Sequence, residues 1–251
     1  MPHQPTLRVL KILELLAHFQ GNLSQISKKL DIPVGTLSPI LQTLQENNYI
    51  SSKDKNYHLS KQILKLSLSI KAEFSAFELI KKHMIKIRDL SKQTCQLGIL
   101  KGGEVLYLEK LEAHNAVQIK SFVGTSYPAY ATSLGKALLQ KKSKKELHTL
   151  YPKKLEKITP NTLEHIDTLY KQLQGIKKSK IALESGEMNT QIECMAIGLE
   201  HRAKIVAAIS ISYLIFDSNA NFRKKNEEIL LKQKAKIEEE LKLYFPELER
   251  L

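Results

Sequence analysis

Within its first sixty residues the chain begins and breaks three short apolar stripes and then changes period, an order that few folds accommodate. Val9, Ile12, Leu13, Leu16 and Phe19 recur at steps of three and four, one face of a helix that Thr6 can cap and Gly21-Asn22 ends. Ser24 can cap a second, shorter helix with Leu23, Ile26 and Leu30 inward, and Asp31-Ile32-Pro33 breaks the chain again. Leu37, Ile40, Leu41 and Leu44 then follow the helical template up to Asn47-Asn48. Residues 49–52 and 57–59 read as two short strands around the polar turn Lys53-Asp54-Lys55-Asn56.

Three short helices and a small hairpin are the parts of a winged helix-turn-helix. In such a unit a tight turn lets the third helix project from a compact core into the DNA major groove. The basic hairpin tip would lie beside the phosphate backbone, with Lys53 and Lys55 supplying sequence-independent affinity. The alternative is a helical hairpin packed into a larger fold.

Downstream the pattern differs in kind. Ser60 can cap a longer helix on which Ile63, Leu66, Ile70, Phe77, Ile80, Met84 and Ile87 fall in heptad fashion, broken by Glu73. That stripe suits a dimerising linker or packing on the following domain. From Thr94 strands are expected at 95–100, 105–108, 116–123, 180–183, 194–199 and 205–213. Helices are expected at 133–140, 144–151, 163–175 and 219–244, the last with Phe222, Ile229, Leu230, Ile237 and Leu241 on one face. This mixed order predicts an α+β domain with a mostly antiparallel sheet.

Charge does not locate a site. Lys and Arg number 39 against 26 Asp and Glu, a net +13 that favours an anionic partner. The excess is +4 over residues 1–70 and +9 over 71–251, so it follows length. No targeting signal opens the sequence, and the most apolar run, residues 206–216, is too short to span a bilayer. Two cysteines, Cys95 and Cys194, form no framework. A cytoplasmic protein without membrane association is expected.

The chemistry of enzymes is absent from the motifs. Gly135-Lys136 invites a phosphate-loop reading, but that loop needs a glycine where Tyr130 stands. No GxSxG, HExxH or GxGxxG occurs, and the eight histidines lack metal-ligand spacing. The cysteines read as buried thiols rather than a nucleophile. No catalytic residue, metal or cofactor is expected, and a DNA-reading head without catalytic machinery behind it points to a regulator.

Several stretches carry a resemblance. They are Leu30-Asp31-Ile32-Pro33 with Thr36-Leu37 and Leu41-Gln42-Thr43-Leu44, then Tyr57-His58-Leu59, and Val105-Leu106-Tyr107-Leu108-Glu109. Pro128-Ala129-Tyr130-Ala131-Thr132-Ser133-Leu134-Gly135-Lys136-Ala137-Leu138 is the most specific, and Cys194-Met195-Ala196 and residues 206–212 complete the set. Over most of its length the chain resembles the IclR family of bacterial transcription regulators. The resemblance implies a dimer, or dimer of dimers, that binds double-stranded promoter DNA and senses a small organic acid in a GAF-like C-terminal domain. It divides the chain into a winged helix-turn-helix over 1–60, a linker helix over 61–77 and an effector domain over 78–251.

The implied DNA contacts are Ser24, Gln25, Val34, Gly35, Thr36, Ser38, Gln42, Lys53, Lys55 and Tyr57. The implied effector residues are Ser133, Leu134, Glu184, Cys194, Ser210 and Ser212. Ser133 and Leu134 would open a helix, where free N–H groups favour a carboxylate. Ser210 and Ser212 alternate along a strand, so their hydroxyls share one face, either lining a pocket or meeting solvent. The sequence departs from the family pattern at Pro39, where an Arg is usual, and at Gly186-Glu187, Gln191 and Lys177-Lys178-Ser179. If the third helix starts at Thr36 with Gly35 as its cap, Pro39 stands fourth and forfeits the first intrahelical hydrogen bond.

Overall fold

Pro5, Asn22 and Pro33 stand where the first three helices begin, and each does so through its own backbone chemistry. The computed structural model describes residues 3–68, 71–113, 121–248 and 251, and divides the chain into two compact units, Met1–Lys71 and Ala72–Leu251. Helix α1 (Gln4–Leu16) starts ahead of Thr6, because Pro5 suits a first turn whose N–H groups are unpaired anyway. The Thr6 hydroxyl meets the His3 ring instead, at 2.9 Å. Helix α2 (Leu23–Leu30) is capped by Asn22, not Ser24: the Asn22 side chain accepts from the Gln25 backbone, and the Gln25 side chain returns the bond. Asp31 ends it in the left-handed region, at φ 52°.

Helix α3 (Val34–Glu46) starts directly after Pro33, two residues before Thr36. Pro39 therefore stands sixth in the helix, not fourth, and leaves the Gly35 carbonyl without its intrahelical donor. The helix persists because Leu37, Leu41 and Leu44 are buried with Ile12, Leu16, Ile26, Ile32 and Ile50 in a core of this unit's own. Strands β1 (Ile50–Lys53) and β2 (Asn56–Leu59) form the hairpin. Asp54 and Lys55 both take positive φ, the geometry of a two-residue turn that matches strand twist. The Tyr57 N–H donates to the Gly21 carbonyl at 2.9 Å and ties the wing to the loop between α1 and α2.

The longer helix is described in two pieces, α4 (Lys61–Leu68) and α5 (Lys71–Ser91). Ile80, Met84 and Ile87 of the heptad stripe are fully buried in the core of the second unit, so that half of the stripe serves its own domain. The side chains of Ile70 and Glu73 lie outside the described residues.

The second unit is built on β3 (Thr94–Lys101), β4 (Glu104–Leu111), β5 (Ser126–Pro128), β6 (Ala182–Ser185), β7 (Ile192–His201) and β8 (Lys204–Leu214). They form one sheet in the order β5-β4-β3-β8-β7-β6, every neighbouring pair antiparallel. Helices α6 (Ser133–Leu139), α7 (Lys144–Leu150), α8 (Ile166–Ser179) and α9 (Ala220–Tyr244) complete it. The strand expected at 116–123 falls mostly on 114–120, outside the described residues, and 121–123 is not strand. The edge strand β5 carries no alternation long enough to be seen in sequence. Helix α8 runs past Gly175 to Ser179, since Leu173 and Ile176 keep its buried face continuous across the glycine.

The two sheet faces differ in side-chain size. Met195, Ile197, Leu199, Ile209 and Ile211 face α5 and α9. Alternate positions carry Ala182, Ala196 and Ala208, and these receive α6 and α8. Gly198 lets α6 approach closely, since a Cβ there would stand 2.8 Å from the Ala137 carbonyl. At Gly135 a Cβ would overlap the backbone of Ala129.

This packing generates a paired prediction. Gly135→Ala is expected to destabilise the second unit by roughly 3 kcal/mol or more, because rigid backbone must give way. Gly175→Ala, on an exposed helix position with open space around it, is expected to stabilise by about 0.5–1 kcal/mol. Urea unfolding of the two variants beside the parent checks both signs.

Candidate functional site

Beside the start of α6, the small-residue face of the sheet turns polar. The register sets Glu184 opposite Cys194, Cys194 opposite Ser212, and Ser210 opposite Gln96, so these side chains share one face. With Ser133 and Thr132 at the start of α6, they line a cavity of about 470 Å³. The rest of the wall includes Tyr107, Tyr127 and Ser121, and Met188, Asn189 and Gln191 from the loop between β6 and β7.

Five of the six sequence-derived effector residues therefore converge: Ser133, Glu184, Cys194, Ser210 and Ser212. Leu134 does not join them. Its side chain is buried in the core beside Gly98, because the second helical position points toward the sheet rather than the cavity.

The wall is organised by Gln96, which the sequence reading missed. Its Oε1 accepts from the Ser210 and Ser212 hydroxyls at 3.2 and 3.0 Å, and its Nε2 donates to Ser121 Oγ at 2.5 Å. The Cys194 thiol donates to Ser212 Oγ at 3.1 Å. A glutamine between Cys95 and Leu97 in an apolar strand was the available signal, since a buried amide needs partners. Tyr107 and Tyr127, also missed, stack edge to face with ring centroids 5.2 Å apart.

Glu184 is the acid of this wall and only 2% exposed. Its Oε1 accepts the Glu187 and Met188 backbone N–H groups at 2.5 and 3.4 Å, which fastens the loop that closes the cavity. Burial pushes its pKa up to about 7, the Glu187 carboxylate adds to the rise, and Lys136 and the two N–H groups oppose it. Lys136, fully buried on α6, is paired with Glu187. Thr159 and Thr162 hydroxyls also hold that loop, donating to the Gly186 and Glu187 carbonyls, each at 2.7 Å. Burial raises the Cys194 thiol well above its ordinary value, which suits a packed thiol and not a nucleophile. Among the described residues no His/Cys/Asp/Glu group could hold a metal ion.

In the first unit, α3 turns Val34, Gly35, Ser38 and Gln42 outward, and Thr36 is partly covered. Gln42 Nε2 donates to Glu46 at 2.9 Å, a bond it must release to reach a base edge. Lys53 and Lys55 are exposed at the hairpin tip. Ser24 is exposed on α2, whereas the Gln25 side chain is engaged in the cap and the Tyr57 ring is half-buried against the core. No helix is long and apolar enough to cross a membrane among the described residues.

A helix-turn-helix with a wing, joined to a sheet domain that holds a polar cavity, defines a DNA-binding transcription regulator with an effector domain. Its relationships agree. Residues 6–54 match the IclR helix-turn-helix domain, and residues 73–238 match the C-terminal domain of IclR bacterial transcriptional regulators. The chain belongs to the IclR family. It is 30% identical to the HTH-type transcriptional regulator XynR of Escherichia coli K12, over 87% of this chain and 90% of that one. It is 26% identical to the HTH-type transcriptional repressor AllR of the same organism, over 82% and 78%. In fold it is similar to an IclR homolog from Microbacterium hydrocarbonoxydans solved with 4-hydroxybenzoate, at TM-score 0.85 and 21% identity, covering 95% of this chain and 99% of that one.

Glu184 generates a pH prediction. Unfolded, a glutamate titrates near its ordinary 4.5; folded, Glu184 keeps its proton up to about 7. Between those values the folded state binds more protons, so this contribution to stability is lost as pH rises. Glu184→Gln is expected to be more stable than the parent above about pH 8, by up to about 3 kcal/mol, and to lose that advantage near pH 4.5. Urea unfolding of both proteins at the two pH values checks the sign.

Proposed function

We infer that the chain is a promoter-binding regulator whose second unit, a GAF-like effector domain, senses a small organic acid. The observation that carries this reading is the convergence of Ser133, Glu184, Cys194, Ser210 and Ser212 on one cavity at the start of α6. At about 470 Å³ the cavity has room for a small metabolite, and its mix of tyrosine faces and convergent hydroxyls is the lining such sites use. Similarity to a homolog solved with 4-hydroxybenzoate favours a carboxylate as the ligand.

In this reading residues 1–60 read DNA, 61–77 connect, and 78–251 sense. Val34, Gly35, Ser38 and Gln42 address the major groove, with Thr36 and Ser24 at its margin. Lys53 and Lys55 hold phosphates. A dimer places two α3 helices on half-sites about one DNA turn (~34–36 Å) apart, so a small effector-induced change in spacing loses many contacts. Self-association as a dimer or dimer of dimers is part of the proposal.

Fluorescence anisotropy on DNA from upstream of the gene, against scrambled DNA at two salt concentrations, tests the first half. Selective binding that weakens with salt is expected. Lys53→Ala or Lys55→Ala should lower affinity for both DNAs and reduce the salt slope by about one, whereas Gln42→Ala should relax selectivity by about 1–3 kcal/mol. Equal, salt-insensitive binding to both DNAs would sink the reading. A carboxylate screen on the complex tests the second half. An effector is expected to change DNA affinity by about 5–150-fold, and DNA to change effector affinity by the same factor.

A further inference from the structure

The serine part of the cavity wall has a fixed direction of hydrogen bonding. Gln96 of β3 is only 2% exposed and lies against Ser210 and Ser212 of β8 on one side and Ser121 on the other. Its Oε1 takes the protons of both β8 hydroxyls, at 3.2 and 3.0 Å, while its Nε2 donates to Ser121 Oγ. The Cys194 thiol donates to Ser212 Oγ at 3.1 Å, so the chain of donors runs from Cys194 through Ser212 to Gln96. With their protons spent on the amide, Ser210 and Ser212 meet the cavity with lone pairs. An amide turned the other way would offer N–H groups to the serines and reverse that polarity.

The rest of the lining is of another kind. Ser133, Asn189 and Gln191 bring a hydroxyl and two amides that can donate, and these serve the carboxylate of an acid. The Ser210–Ser212 part asks for a different ligand group. An acceptor set there, such as a ketone or ether oxygen, faces lone pairs, or else draws a serine proton away from Gln96 and leaves a buried amide oxygen unpaired. A ligand hydroxyl meets neither cost, because it donates to the serines as they stand.

We propose that Gln96 is a specificity-determining residue of this cavity, selecting organic acids that carry a hydroxyl over those that carry a keto or ether oxygen in its place. It acts through Ser210 and Ser212, whose protons it holds, and is a positioning residue for both. The proposal rests on the reading of the cavity as an acid-sensing site and names the kind of acid.

Calorimetry on the full chain at a single pH tests it with matched acids: lactate against pyruvate, 3-hydroxybutyrate against acetoacetate, and 4-hydroxybenzoate against 4-methoxybenzoate. In each pair that binds, the hydroxy acid is expected to bind roughly 10–100-fold tighter. Gln96→Met, close in volume but without the amide acceptor, frees the serine protons. The keto or ether acid should then gain affinity, and the ratio should fall to about one. Lost packing alone would weaken both members of a pair together and leave the ratio unchanged. Ser210→Ala keeps Gln96 and its bond to Ser212, should also lower the ratio, and decides the matter where thermal melting shows that Gln96→Met does not fold. Equal affinities within the pairs, or a keto or ether preference in the parent, overturn the proposal and leave the acid-sensing reading intact. So does a hydroxyl preference that survives unchanged in the folded variants. If no acid binds, the reading of the cavity fails and the proposal with it.

Discussion

The second unit depends on how closely α6 lies against its sheet. Every residue of α6 is buried, including Lys136, and the helix reaches that depth only because Gly135, Gly198, Ala196 and Ala208 leave room for its backbone. A helix at ordinary distance, separated by leucines and isoleucines, would cover the sheet face with side chains and leave no wall to line. The opposite face shows that arrangement, with Ile197, Ile209 and Ile211 filling the space beneath α5 and α9. One sheet thus carries a large-residue face for stability and a small-residue face for a site.

The close approach also decides the electrostatics. Burying α6 buries Lys136, and an ammonium without water needs a partner, which Glu187 provides. That commits the loop carrying Glu187 to the side of α6, and its backbone then meets Glu184. The acid is left neutral at low pH by the same burial that made the cavity. Packing, ion pair and raised pKa are one consequence seen at three levels. On the far side of β7, Glu193 answers burial differently. Arg223 donates to both its oxygens at 2.9 and 2.6 Å, and Tyr213 and Ser218 add hydroxyls, so it is held below the usual glutamate range despite burial, as an anchor for α9.

In the first unit the constraint is economy of core. Eight buried aliphatic residues hold three helices and a wing, and the Tyr57–Gly21 backbone bond closes the arrangement. Within it Pro39 interrupts the hydrogen bonding of α3 while Leu37 and Leu41 stay fully buried on either side. Burial of an apolar face outweighs one missing backbone bond, so α3 keeps its course.

Much of this was legible in the chain itself. The apolar steps of Val9 to Leu44, the turn at Asp54-Lys55 and the alternation of Ser210 and Ser212 encode their elements locally, because helix and strand periods are properties of neighbouring residues. The motif around Gly135 led to the cavity, and Glu184 and Cys194 followed from it. Cap positions were misread at Thr6, Ser24 and Gly35, because proline and asparagine competed for the same turns and backbone geometry chose between them. Gln96, Tyr107 and Tyr127 escaped notice because their partners lie on strands distant in sequence, and the Leu134 side chain turns to the core because one residue of helix phase separates core from cavity. Which residues form helices and strands is a local matter that the sequence determined. Which polar atoms meet across the sheet, and which buried charges pair with one another, were decided by tertiary packing, since burial and pairing arise only when distant segments come together.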